Sequence, residues 1–358
     1  MSIDFHKLRV AEVKRETPDA VSVRLELPED LRETFQFRAG QHLTFRREIG
    51  GEEVRRNYSL CVAPSEGVLK IGVKQIVGGV FSGWVNTELK PGDELEVMAP
   101  HGSFCWNFDA EARNEYVAFA GGSGITPILS LMKTALSLEP HSRFTLFYGN
   151  RNSPGVMFLE EIAALKDSYL DRLSVYHFLE EEEEEIELFN GRLDRAKAEQ
   201  ILSSLLQPAD VDAFFICGPG PMMDAIEEAL TAKGVEKPRI LIERFTTGPL
   251  SAAQAAAARA AEEKAAGLKM SVTLNGRRVQ VAFDPDKHSI LDNVRAAGLP
   301  APFACKGGVC ATCRAKVTAG EVTMKVNYGL SAEELAEGYV LTCQATPVSE
   351  GVVLTYDV

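Results

Sequence analysis

Three cysteines within nine residues constrain this chain more than any other feature of its sequence. They lie in the segment CKGGVCATC, at Cys305, Cys310 and Cys313, and the next cysteine is Cys343 in YVLTCQ, with 29 residues between the last two. The spacing C-x4-C-x2-C with one distant cysteine is a known ligand pattern for 2Fe–2S clusters. We therefore predict that these four thiols bind such a cluster.

The glycines inside the motif favour this interpretation. Gly307 and Gly308 permit positive φ angles, which lets the loop curl and its N–H groups approach the sulfur atoms. Structural zinc, which also takes four cysteines, is the alternative. Zinc sites usually contain two short cysteine pairs, whereas here three ligands share one loop.

Length and charge bound the remaining possibilities. A chain of 358 residues predicts about two or three domains. The net charge of −13 argues against nucleic acid or an anionic membrane as a partner. No apolar run reaches the roughly 18 residues of a membrane span, and the N-terminus lacks the apolar region of a signal peptide. We expect a cytoplasmic protein without a disulfide framework, in which the run Glu180–Glu185 is a solvated loop.

Hydrophobic patterning divides the chain into four parts. Residues 1–108 contain short alternating segments, typical of an antiparallel barrel. Residues 109–248 alternate buried strands such as YVAFA with helices, typical of a parallel α/β sheet. Residues 249–268 are alanine-rich and predict a helical linker. Residues 269–358 predict a small domain with a hairpin at Asn275-Gly276 and a helix after Ser289.

Three segments are candidate cofactor sites: two glycine-rich turns and one polar segment that leads into a strand. GGSGITP follows a strand and opens a helix, where a pyrophosphate is bound in dinucleotide folds. Thr126 is expected to be the N-cap of that helix and Pro127 to lie in its first turn. RNYS offers an arginine for phosphate and a tyrosine for stacking, and GGVFS is a second candidate anion-binding turn. Each motif alone is also compatible with a plain turn or a core position.

Together and in this order, the motifs are more specific. RNYS, GGVFS, GGSGITP, CGPGPMM and the cysteine pattern resemble the ferredoxin–NADP reductase superfamily with a C-terminal plant-type ferredoxin domain. The resemblance covers essentially the whole chain. It implies an FAD-binding barrel, an NAD(P)-binding α/β domain and a β-grasp 2Fe–2S domain. It also implies transfer of electrons from NAD(P)H to an oxygenase, either a di-iron epoxidase complex of phenylacetate catabolism or another aromatic-ring oxygenase.

The resemblance also implies roles for residues around the flavin. Arg56 is expected to bind the FAD pyrophosphate, Tyr58 to stack on the isoalloxazine ring and Ser59 to face its N5 atom. Glu243 and Phe245 in IERF are expected near the flavin. The remaining FAD pyrophosphate contacts are expected from Gly79, Phe81 and Ser82.

Further roles are implied for the nicotinamide nucleotide. The pyrophosphate of NAD(P) is expected at the turn that contains Gly122, Gly124 and Thr126. Cys217 and Gly218 are expected beside the nicotinamide. Tyr58, Ser59 and Cys217 are thus the expected catalytic residues.

The choice between NADH and NADPH stays open from the sequence. Relatives that use NADPH commonly hold its 2′-phosphate with a Ser-Arg pair, where this chain has Leu179 followed by Glu180–Glu182. Carboxylates repel a 2′-phosphate and can accept a hydrogen bond from a free 2′-hydroxyl. Arg151 and Ser153 nevertheless remain as candidate phosphate ligands, and the resemblance over the whole chain implies NADPH.

A flavin is needed in this scheme because a nicotinamide gives two electrons together and a 2Fe–2S cluster takes one at a time. The protein then supplies geometry, and no hydrolytic triad or HExxH motif is present. The rival from another class is a non-catalytic scaffold that binds zinc and a nucleotide. Colour distinguishes the two, since a scaffold of that kind would be colourless.

Overall fold

The computed structural model describes residues 4–183, 185–245 and 252–357. Its contacts divide the chain into two compact units, Met1–Glu243 and Arg244–Val358. Within the described residues, no helix is both long enough and apolar enough to cross a membrane.

The first part of the N-terminal unit is an antiparallel barrel. Its strands are β1 Phe5–Thr17, β2 Ala20–Leu25, β3 His42–Ile49, β4 Glu52–Ser59, β5 Leu69–Lys74 and β6 Glu94–Met98, with helix α1 at Val80–Thr87. The six strands pair in the order β4-β3-β6-β1-β2-β5, and a bridge between Leu60 and Ile71 joins the two edges. Alternating apolar side chains such as Val23, Phe45 and Val97 fill the interior and are fully buried.

The second part of this unit is a parallel sheet flanked by helices. The elements are β7 Glu115–Gly121, α2 Ile125–Leu138, β8 Arg143–Asn150, α3 Leu159–Ser168, β9 Leu173–Leu179, α4 Arg195–Ser204, β10 Ala213–Cys217, α5 Gly220–Ala232 and β11 Ile240–Glu243. The strand order is β11-β10-β7-β8-β9, so the chain reverses its direction of growth between β7 and β10. Ligands of such sheets bind at the carboxyl ends of the strands at this switch point.

The C-terminal unit contains a mixed five-stranded sheet and a separate two-stranded pair. The elements are α6 Ala252–Lys264, β12 Lys269–Leu274, β13 Arg277–Ala282, α7 Ile290–Ala296, β14 Arg314–Ala319, β15 Val322–Met324, α8 Ala332–Ala336, β16 Tyr339–Leu341, β17 Ala345–Pro347 and β18 Val352–Thr355. The larger sheet has the order β13-β12-β18-β14-β16, and β15 pairs with β17. The predicted hairpin is present, with positive φ at Asn275 and Gly276, and Ser289 caps the helix that follows it.

The three expected fold classes are thus confirmed. The alanine-rich helix α6 also contributes to the C-terminal unit, because its buried Glu262 forms ion pairs with Lys325 and, at 3.0 Å, with His288. Part of the expected linker, residues 249–251, lies outside the described residues.

Candidate active site and cluster site

A cavity of about 760 Å³ opens at the switch point of the parallel sheet. Its walls come from the ends of β7 and β8, from the start of α5 and from the barrel residues Pro18, Asp19 and Lys74. Its volume is in the range of cofactor pockets. Among the expected nucleotide residues, the cavity is lined by Gly122 and Arg151.

The glycine-rich turn approaches the neighbouring strand so closely that a side chain has no room. A Cβ atom on Gly124 would lie 2.0 Å from the carbonyl oxygen of Cys217. Tyr148, which is fully buried, donates a hydrogen bond of 3.0 Å to the carbonyl oxygen of Gly122. The turn is therefore fixed from both sides, and its backbone faces the cavity at Gly122.

Thr126 plays a different part from the one expected. Helix α2 begins at Ile125 with Gly124 as its N-cap, so the prediction of Thr126 as the N-cap is wrong. Its buried hydroxyl donates to the carbonyl oxygen of Ser123 at 3.0 Å. Through this hydrogen bond to Ser123, the Thr126 side chain stabilises the glycine-rich turn.

The acidic run contacts the two candidate phosphate ligands. The Arg151 guanidinium lies 3.6 Å from a carboxylate oxygen of Glu181. The backbone N–H and the hydroxyl of Ser153 both donate to Glu182 at 2.5 Å, and these bonds lower the pKa of the Glu182 carboxyl. Glu180, Glu181, Glu183 and Glu185 are exposed, as expected of a solvated loop, and Glu181 and Glu182 also contact residues at the edge of the cavity.

The expected flavin residues lie at the end of barrel strand β4. The Tyr58 ring packs against Phe45 and Phe81, with centroid distances of 5.9 and 5.7 Å. The Ser59 hydroxyl is buried and has no hydrogen-bond partner in the described residues. A buried hydroxyl without a partner is costly, and an aromatic platform beside it fits a flat polar ring, so these residues fit FAD.

The residues expected at the FAD pyrophosphate differ in whether their side chains are free to contact a phosphate. Arg56 is exposed, and its guanidinium donates to the carbonyl oxygen of Arg55 at 2.7 Å. Phe81 is buried in the barrel core under Tyr58, so only its backbone is available to a phosphate. The Ser82 hydroxyl accepts from the N–H of Ile76 at 3.1 Å and thereby holds the glycine-rich loop.

Cys217 ends strand β10, in register with Glu243 on β11. Its thiol is fully buried, and burial together with the Glu243 carboxylate raises its pKa well above the ordinary value, so it stays neutral. Glu243 in turn lies 3.7 Å from the buried His42 of the barrel.

Gly218 follows Cys217 and has no room for a side chain, since a Cβ would lie 2.6 Å from Met222. Phe245 belongs to the C-terminal unit and is 38% exposed.

In the C-terminal unit, the sheet brings the distant cysteine to the loop. Strands β14 and β16 pair with Arg314 opposite Leu341, and the hydroxyl and N–H of Thr342 both donate to the carbonyl oxygen of Cys313 at 2.9 and 3.3 Å. Cys343 therefore lies next to Cys313. Hydrogen bonding between these two thiols lowers the pKa of Cys343 and raises that of Cys313.

The loop itself curls through residues in the left-handed region, at Lys306, Gly308 and Ala311. Of the two glycines expected to permit this, only Gly308 has a positive φ, and a Cβ there would lie 2.9 Å from Gln344. A hydrogen bond from Cys310 lowers the pKa of Cys305 to about 6, which favours the thiolate form that ligates metal.

Several donors point at the cysteine sulfur atoms. Gly307 N–H lies 3.3 Å from the Cys305 Sγ, the Thr312 hydroxyl 3.1 Å from the Cys310 Sγ, and the Gln344 amide 3.6 Å from the Cys343 Sγ. Donors of this kind stabilise a negatively charged cluster, so the residues fit a 2Fe–2S cluster.

Family models match all three parts of the chain. An oxidoreductase FAD-binding domain matches residues 7–106, an oxidoreductase NAD-binding domain matches residues 119–228, and a 2Fe–2S iron–sulfur cluster binding domain matches residues 272–348. The last match favours the cluster over zinc. The matches fall inside the ranges predicted from the sequence, whose bounds stay predictions.

Similar proteins extend over the full length. A subunit of 1,2-phenylacetyl-CoA epoxidase from Escherichia coli (strain K12) is 43% identical, over 99% of this chain and 98% of that protein. The ferredoxin reductase component of 3-ketosteroid-9-alpha-monooxygenase from Rhodococcus rhodochrous is 33% identical, over 98% and 96%. The solved structure of phthalate dioxygenase reductase has a TM-score of 0.60 at 23% identity and covers 98% of each chain, which shows a shared fold.

The fold and the matched domains define an iron–sulfur flavoprotein oxidoreductase that uses FAD, a nicotinamide nucleotide and a 2Fe–2S cluster. The chain belongs to the family of such reductases that supply electrons to oxygenases. The roles assigned to individual residues from the sequence stay predictions.

Sequence reasoning missed several residues of the site. Tyr148 and Asn150 come from the end of β8, and Arg192 and Lys74 line the cavity from other segments. The polar end of the buried strand FTLFYGN was a usable signal for the first two, because it lies at the same sheet edge as the glycine-rich turn. Lys74 belongs to the barrel, and only the packing of the two parts brings it to the cavity.

Proposed function

We propose that the chain is the reductase component of a di-iron phenylacetyl-CoA epoxidase, which supplies that oxygenase with electrons from NAD(P)H. The full-length similarity to a component of such an epoxidase carries this proposal, since the alignment spans both chains almost completely. A reductase for another aromatic-ring oxygenase is the second candidate, favoured by the similarity to the ketosteroid monooxygenase component. A cytoplasmic location is part of the proposal, because reducing compartments preserve free thiols for cluster ligation.

When bound, FAD accepts hydride from the nicotinamide, and the cluster carries electrons one at a time. The barrel binds the flavin in this proposal. Tyr58, held by Phe45 and Phe81, would stack on the ring, and the buried Ser59 hydroxyl would offer a hydrogen bond to it. Arg56 and the backbone from Gly79 to Ser82 bind the pyrophosphate.

The parallel sheet positions the nicotinamide nucleotide. The backbone at Gly122 and Gly124 binds its pyrophosphate, and Arg151 lies at the edge that receives the adenosine half. Cys217 and Gly218 lie beside the nicotinamide. Because burial and the Glu243 carboxylate raise the pKa of the Cys217 thiol, it would pack beside the ring as a small neutral side chain.

The four cysteines hold the cluster, and one substitution separates this role from the flavin. Cys310→Ser should abolish iron binding while FAD and reduction of an artificial two-electron acceptor remain. Cys105→Ser is the matched control, because Cys105 is a half-buried thiol of the barrel unit. Iron retained at wild-type content in the Cys310 variant would disprove the ligand assignment.

The function is tested in two stages with the full-length protein. First, an anaerobic visible-absorbance titration with NADH and with NADPH should bleach both the flavin and the cluster bands. Second, the reductase is mixed with the oxygenase component of a phenylacetyl-CoA epoxidase, and epoxide formation is measured. Bleaching without epoxide would favour the other aromatic-ring oxygenases. The absence of a flavin band, or a cluster that stays oxidised, would favour the scaffold.

A further inference from the structure

The edge of the cavity that would receive the adenosine 2′-position already carries carboxylates. Strands β8 and β9 are parallel neighbours, with Asn150 opposite Leu179, so the segments that follow them run side by side. Glu181 approaches Arg151 at 3.6 Å and accepts from the Asn152 amide at 2.9 Å, while Glu182 accepts both polar hydrogens of Ser153. The two candidate phosphate ligands therefore both contact carboxylates of the chain itself.

The basic side chains that line the cavity are also paired with carboxylates. Each of the three has a carboxylate partner: Lys74 with Asp19 at 3.5 Å, Arg151 with Glu181 at 3.6 Å and Arg192 with Glu180 at 2.9 Å. Asp194 adds a further negative charge to the wall. A 2′-phosphate would have to displace these carboxylates and would meet Glu181 and Glu182 at close range.

NADH can bind without displacing these carboxylates. It carries a neutral 2′-hydroxyl at this position, and a carboxylate is the group that dinucleotide-binding folds use to accept a hydrogen bond from it. Glu180 offers that acceptor, since it lines the cavity directly after β9. A 2′-phosphate, by contrast, is repelled by every carboxylate in the run.

We infer that Glu180–Glu182 is a specificity element which makes this reductase select NADH over NADPH, by occupying Arg151 and Ser153 and by presenting negative charge to a 2′-phosphate. This inference rests on the proposed use of a nicotinamide dinucleotide at this cavity. It gives the acidic run a role in the site and resolves the preference that the sequence leaves open.

The wild-type protein tests the inference without any substitution. Adenosine 5′-monophosphate and adenosine 2′,5′-bisphosphate differ only in the 2′-phosphate, and isothermal titration measures their binding to the holoprotein. The monophosphate should bind at least about tenfold more tightly, as expected when charged contacts oppose a phosphate. NADH should likewise exceed NADPH in kcat/KM with ferricyanide as acceptor. Tighter binding of the bisphosphate, or a higher kcat/KM for NADPH, would overturn the inference.

A pair of double variants separates local contacts from overall charge. Glu181→Ala/Glu182→Ala frees Arg151 and Ser153 and should raise affinity for the bisphosphate about tenfold, with little change for the monophosphate. Glu183→Ala/Glu185→Ala removes the same charge from exposed positions of the run and should leave the ratio near wild type. Equal shifts in both double variants would refute the contact argument.

These outcomes differ from a failure of the proposed function. If neither NADH nor NADPH bleaches the flavin, the reductase mechanism fails. If both do so and NADPH is preferred, only the specificity inference fails. Thermal unfolding of each double variant shows whether it is folded, and the wild-type ligand comparison decides the question even if one is not.

Discussion

The ion network between the barrel and the parallel-sheet domain can be tested through Glu161. Its carboxylate on α3 lies 2.5 Å from Lys133 on α2 and 3.1 Å from Lys70 on barrel strand β5. Lys133 also bonds Glu66 of the barrel at 3.0 Å. The network thus ties two helices of one domain to two segments of the other.

Replacing Glu161 with glutamine keeps the size of the side chain and removes its charge. Loss of one partner costs about 3–5 kcal/mol for a buried ion pair and about 0–1 kcal/mol for an exposed one. The Glu161 and Lys133 side chains are 27% and 11% exposed, and Lys133 keeps its bond to Glu66. We therefore expect the free energy of unfolding to fall by roughly 2 kcal/mol, between these limits.

Thermal unfolding followed by tryptophan fluorescence measures this effect. About 2 kcal/mol corresponds to a midpoint lowered by roughly 4–8 °C in a unit of this size. Glu160→Gln is the matched control, since Glu160 is an exposed carboxylate in the same first turn of α3. Equal midpoints for the two variants would refute the reasoning that the network stabilises the unit.

The network also predicts a pH dependence. Burial raises the pKa of Glu161, but the hydrogen bonds and charges of Lys133 and Lys70 outweigh burial and lower it overall. A folded-state pKa below the unfolded one means that the stabilisation is present above about pH 4.3 and is lost as the pH falls through the folded-state pKa. The difference between wild type and Glu161→Gln should therefore shrink at acid pH. A difference that grew on acidification would contradict the sign.

Three further predictions follow from single contacts. Gly124→Ala places a Cβ 2.0 Å from the Cys217 carbonyl oxygen, so it should cost about 1–3 kcal/mol and weaken NADH binding in isothermal titration. Ser59→Ala removes a buried hydroxyl without a partner in the described residues, so the midpoint of the flavin-free protein should not fall, while rapid mixing should show slower flavin reduction. Burial lowers the pKa of both His42 and His101, with the charge of His101 lowering that of His42 further. Unfolding in urea should therefore show stability lost as the pH falls below about 6.5, with a smaller slope in His42→Gln.

Much of the fold follows from local patterns. The continuous apolar run YVAFA predicts a buried parallel strand, and β7 has neighbours on both sides in the middle of the sheet. Asn275-Gly276 predicts a hairpin because both positions need positive φ, and both have it. In each case the residues that determine the secondary structure lie close together in the sequence, so tertiary packing has few alternative conformations to choose from.

The role of each side chain in a motif depends on the residues of other elements that pack against it. In GGVFS, the barrel core under Tyr58 buries the ring of Phe81, so the predicted contact with a pyrophosphate can come only from its backbone. In GGSGITP, Thr126 was expected to cap α2, but the helix begins at Ile125 with Gly124 as its N-cap. A motif thus fixes the path of the backbone, while neighbouring strands decide which side chains face the ligand.

The acidic run shows most clearly what the sequence lacks. Arg151 and Ser153 precede Glu181 and Glu182 by about thirty residues, and no local rule links the two segments. The parallel register of β8 and β9 makes them neighbours, since pairing Asn150 with Leu179 aligns residue 151 with residue 180 and its successors. If NADH is selected as we infer, strand register and residue type together set that preference, because the register brings carboxylates to an arginine and a serine that would otherwise be candidate phosphate ligands.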